Sequence, residues 1–298
     1  MRRTPLGRGW VVPMNAVDAT IVQPDASRPP STATGRAMLR RWGEGIVFAA
    51  TWTGLGWSLG IDANAYLLLG VPLTIAFQRY VRGEPLRAMW VREAPPLGRW
   101  WIVPTAVLGI LPAVSLVGAI VYRRWIIGGW MLAAVGGSVG AGYALMHLRR
   151  SAMRPFLMCQ LTAGAMGIGL AIAARAMAEI DRPPLLQMGL HDFLLYLPAC
   201  FALEEVSFRG ALDAHLHRPG ERFPLTSALL GSILWGLWHL PTLPVESRVP
   251  EAVIAMLGVH VLIGVPLAIY WRRSGNLAVP AFTHAMIDAV RNALEISG

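Results

Sequence analysis

From residue 45 onward, apolar runs alternate with short polar gaps as far as the C-terminus. The runs 45–61, 64–80, 99–121, 125–147, 155–178, 191–213, 224–241, 251–271 and 277–296 each predict a helix across a hydrocarbon core about 30 Å thick. The first two are short and divided only at Asp62, so eight or nine spans fit the pattern. Residues 81–98, with Arg82, Arg87, Arg92 and Pro95-Pro96, interrupt it and predict an interfacial loop or short amphipathic segment. Residues 1–43 mix arginines with prolines and small residues, lack the apolar core of a signal peptide, and predict a disordered cytoplasmic tail. The expected fold is therefore all-α, a polytopic integral membrane bundle of about eight or nine helices over residues 44–298.

Composition agrees. The 298 residues are 55% apolar and 14% charged, with a mean hydropathy of +0.49, whereas soluble domains carry about 25% charged residues. All 26 basic residues are arginine, which reads as the codon usage of a GC-rich bacterial genome. A net charge of +9 in a soluble chain would suggest nucleic acid. Here the arginines sit in the gaps between apolar runs, a positive-inside pattern, and nucleic acid is excluded as a partner. A cytoplasmic N-terminus and nine spans put the gaps 81–98, 148–154, 214–223 and 272–276 inside, with Arg123-Arg124 on the wrong side. The expected location is the inner (cytoplasmic) membrane, multi-pass. Cys159 and Cys200 fall in apolar runs and read as buried free thiols. The glycines at 136, 137 and 140 read as close helix packing, and the GxSxG match they form is not on a strand-to-helix elbow.

One apolar run is broken by charge, at 201–211, FALEEVSFRGA. Charged side chains at such depth face a partner or a wet cavity. Wound as an α-helix, Glu205, Arg209, Asp213 and His217 form one stripe, with Arg209 neutralised between two carboxylates. Glu204 lies about 100° around the helix from that stripe, without an intrahelical partner. Two later runs carry polar pairs at i, i+4: Trp235 with His239, and His284 with Asp288. A single helical histidine is ordinarily a core residue with a bonded ring, and His284–Asp288 could be an ordinary buried pair. Taken together, one carboxylate and two histidines from three helices could gather around one water, the residue types of base-assisted amide hydrolysis.

The order EExxxR, aromatic-xxx-His in WHLP, and HxxxD resembles the CPBP family. These are the CAAX proteases and bacteriocin-processing enzymes, also called the abortive-infection domain. The resemblance spans residues 155–296 as a catalytic core and implies a helical intramembrane glutamic endopeptidase without a cofactor. It implies that Glu204 activates water with His239 and that His284 and Asp288 stabilise the oxyanion. Glu205, Arg209 and Trp235 would support them. The substrate implied is a membrane-anchored protein or a peptide precursor. Two positions depart from the pattern: Trp235 stands where phenylalanine is usual, and Asp288 where many members have asparagine. An ionised aspartate would repel an oxyanion, so Asp288 would act protonated or orient His284. Three alternatives stand beside this reading. Zinc could be held by Glu204, His239 and His284. The chain could be a non-catalytic self-immunity or secretion-associated membrane protein, or a transporter. Neither HExxH nor a paired-aspartate GxGD is present.

Overall fold

A computed structural model describes residues 32–60, 62–177, 186–217, 224–243 and 249–295. Of the expected tail, residues 1–31 lie outside the described residues. The remainder is helical, because α1 (Thr32–Leu59) runs straight through position 43. Asp62 ends the ambiguity between the first two runs. Its side chain accepts from the Asn64 and Ala65 amides at 2.7 and 3.1 Å and so caps a separate helix, α2 (Ala63–Ala76). A π-turn, Phe77–Arg82, ends α2 at Gly83, and a loop holding the 3₁₀ turn Leu86–Met89 follows. Val91 of that loop bridges Asn276; no strand is formed among the described residues.

Next come α3 (Ile102–Val121), α4 (Trp125–Met146) and α5 (Met153–Cys159), which passes through a π-segment into α6 (Ala165–Met177). α7 (Leu186–Cys200) continues as a π-helix, Phe201–Asp213, and closes with α8 (Ala214–Leu216). The chain ends with α9 (Pro224–Trp238), α10 (Pro250–Ser274) and α11 (Ala278–Glu295). Among the described residues, four segments are apolar and long enough to cross a membrane: Ile102–Val121, Trp125–Met146, Arg150–Met177 and Pro250–Ser274. On α3, Val103, Val107, Ile110, Val114 and Val117 are exposed at alternating spacings of four and three residues. That stripe is a lipid face. The fold is an all-α polytopic membrane protein.

The π-helix sits at the centre. α4 crosses α7 so closely that a Cβ on Gly137 would lie 1.9 Å from the Pro198 carbonyl oxygen. Only glycine permits that approach. Pro198 cannot donate to the Leu194 carbonyl, and three residues later the helix bonds i→i+5 instead of i→i+4. Around the π-helix, Thr74 bonds Ser207 at 2.7 Å, and Trp52, Tyr66, Phe208 and Trp238 pack ring against ring. Tyr66 also donates to the Trp238 carbonyl at 2.7 Å, fixing α2 to the end of α9.

The wider turn corrects one expectation. Asp213 does not continue a stripe through Arg209. It takes a two-pronged bond from Arg272 of α10, with Nη2 to Oδ1 at 2.6 Å and Nε to Oδ2 at 3.0 Å. Arg209 is left to Glu205, at 3.1 Å.

Candidate active site

Adjacent glutamates on the π-helix face different partners. Glu205 is fully buried, and its Oε1 meets both Arg209 (3.1 Å) and the Nδ1–H of His284 (2.8 Å). Glu204 keeps 14% of its side chain exposed and lines a cavity of about 690 Å³. Cavities of that size hold sizeable ligands. The indole Nε1–H of Trp235 donates to Glu204 Oε2 at 3.0 Å. His239 Nε2 lies 3.9 Å from the same oxygen, beyond direct hydrogen-bond reach.

α9 delivers two of these groups. One turn apart, Trp235 and His239 share a face, and the Nδ1–H of His239 donates to the Trp235 carbonyl at 2.9 Å. That bond puts the proton on Nδ1 and leaves Nε2 with a lone pair toward Glu204. The Trp235 ring also carries the Arg209 guanidinium, whose Cζ is 4.0 Å from the ring centroid. A continuous chain of contacts therefore runs from Glu204 through Trp235, Arg209 and Glu205 to His284. The substitution of tryptophan for phenylalanine does more than wall the cavity: it adds a donor to Glu204.

α11 supplies His284 and Asp288. His284 Nε2 lies 3.5 Å from Asp288 Oδ2, while Asp288 Oδ1 is paired with Arg291 at 3.2 Å. The imidazole is thus oriented chiefly by Glu205, on the π-helix, rather than by its neighbour on the same helix.

Three residues escaped the sequence reading. His260 of α10 packs against His239 with ring centroids 4.1 Å apart and planes tilted by 43°, and meets the Trp235 ring edge-on at 4.6 Å. Gly236 makes room, since a Cβ there would fall 3.2 Å from that of His260. A histidine inside the apolar run 251–271 was the available signal. Arg291 was invisible without the fold. Cys200 and Cys159 are buried free thiols as expected, but Cys200 donates to Asp288 Oδ2 at 3.2 Å and lines the cavity.

The class of protein follows: a helical membrane protein that closes an acid–base cavity inside its bundle. Residues 186–290 match the family model described as type II CAAX prenyl endopeptidase, Rce1-like. This segment holds every motif residue from Glu204 to Asp288, and the match supports a CPBP/CAAX protease family assignment. The same match supports an intramembrane endopeptidase in general. Comparisons with curated proteins and with solved structures gave no match.

Proposed function

We propose that the cavity hydrolyses a peptide bond of a membrane-associated protein or peptide precursor in the cytoplasmic membrane, with Glu204 as the general base on water. The observation that carries this reading is the position of Glu204 Oε2, held by Trp235 on the cavity wall 3.9 Å from His239 Nε2. One water can lie within hydrogen-bond reach of both atoms. It would donate one hydrogen to each and turn its lone pairs toward the scissile carbonyl. As the water oxygen attacks the carbonyl carbon, its proton passes to Glu204, which returns it to the leaving amine.

His284, when protonated, offers Nε2–H to the developing oxyanion while Nδ1–H stays on Glu205. Asp288 holds the imidazole edge, and Arg291 offsets its charge. This division keeps a carboxylate from facing the oxyanion directly. Burial of Glu205 and Arg209 fits a supporting role. Membranes bearing wild-type or Glu204→Gln protein at equal insertion levels test the reading by comparative proteomics. A precursor should accumulate uncleaved in the variant. Unchanged proteomes with the full biological effect retained would point to the non-catalytic alternative.

A further inference from the structure

Among the described residues, one group of metal-capable side chains converges: the Cys200 thiol, the His284 imidazole and the Asp288 carboxylate, whose donor atoms all lie within 4.8 Å of one another. It differs from the Glu204, His239 and His284 set that residue types alone offered. Of its members, only His284 also belongs to that set.

We infer that Cys200, His284 and Asp288 form a binding site for a zinc-class divalent cation, open to the cavity. All three line the cavity, so a cation has a route in and a fourth position remains for water or an inhibitor. On His284 and Asp288, the atom that would not bind metal is already engaged. His284 gives Nδ1–H to Glu205 at 2.8 Å, which leaves Nε2 as the ligand, the carboxylate–histidine arrangement that orients metal-binding imidazoles. Asp288 Oδ1 is paired with Arg291 Nη1 at 3.2 Å, which turns Oδ2 to Cys200 and the imidazole. A thiolate and a carboxylate neutralise a divalent charge within an apolar bundle. Thiolate with imidazole favours zinc over magnesium or calcium. Binding forms the metal–sulfur bond and releases the Cys200 proton to solvent through the cavity.

The site does not depend on Glu204 acting as a base, since Glu204 is not a ligand. It does take His284 Nε2, so the metal-loaded protein lacks the proposed oxyanion donor. Zinc occupancy and glutamate-driven hydrolysis are alternative states of one imidazole.

The test uses the full-length protein in lipid nanodiscs, stripped with chelator and titrated with Co²⁺. The expected result is a thiolate-to-cobalt charge-transfer band that saturates at one equivalent and is displaced by Zn²⁺. The band should be lost in Cys200→Ser and kept in Cys159→Ser and Glu204→Gln. A missing band or one that survives Cys200→Ser overturns the assignment, and one-equivalent cobalt binding that shows no such band and is abolished by Glu204→Gln overturns it in favour of the Glu204, His239 and His284 set. Zinc X-ray absorption on wild-type protein needs no variant to fold. One sulfur at about 2.3 Å with nitrogen and oxygen ligands supports the site, and a shell without sulfur overturns it.

Discussion

The indole nitrogen of Trp235 donates to Glu204 Oε2 at 3.0 Å while the face of the same ring carries the Arg209 guanidinium. One side chain on α9 therefore ties together the two halves of the EExxxR motif, which face different ways on the π-helix. Glu204 is aimed into the cavity because of this bond, and a phenylalanine at the position would supply the ring without the donor.

Trp235→Phe separates those two contributions. The stack on Arg209 survives, and the bond to Glu204 is lost. A hydrogen bond to a charged group is worth about 1.5–3 kcal/mol, so cleavage should fall about tenfold to a hundredfold. The loss should appear in turnover more than in substrate affinity, with the unfolding temperature little changed. Precursor cleavage and thermal unfolding of the same preparation check both parts.

Arg209 is a different case, because its removal leaves Glu205 charged and buried. Arg209→Ala should cost about 3–5 kcal/mol of stability. Arg209→Lys should fall between that variant and wild type, since an ammonium keeps the charge but cannot stack flat on the indole. Thermal unfolding in detergent orders the three proteins.

The crossing of α4 on α7 is set by a contact between backbones. Gly137→Ala would drive a methyl into the Pro198 carbonyl, and neither backbone can move aside cheaply. This variant should fail to accumulate as folded protein. Gly136→Ala, where nothing lies within 4 Å of the new methyl, should stay within about 0.5 kcal/mol of wild type. Yield after size-exclusion chromatography distinguishes the pair.

How far the sequence reached can be traced through particular residues. Apolar runs announced the helices because lipid demands long uninterrupted stretches. The i, i+4 pairs Glu205–Arg209 and His284–Asp288 came together because both spacings survive local changes in winding. Pro198 marks a break in the helix but not the wider winding that follows, since i→i+5 bonding has no compositional signature, and with that winding went the true partner of Asp213, Arg272 on a later helix. Long-range proximity was equally silent for Cys200, which reaches Asp288 from 88 residues away. His260 was legible as a lone polar residue in an apolar run, but its place against His239 needed the packing of α10 on α9.

The division between the two glutamates is the centre of the proposed mechanism, and side-by-side variants measure it most directly. Glu204→Gln and Glu205→Gln can be reconstituted in lipid vesicles with the precursor that accumulates in cells, at equal amounts of folded protein. Glu204→Gln should unfold at the wild-type temperature yet show no turnover, whereas Glu205→Gln should lose stability by uncoupling Arg209 and His284. Turnover by Glu204→Gln at the wild-type rate would contradict the assignment of Glu204 as the base.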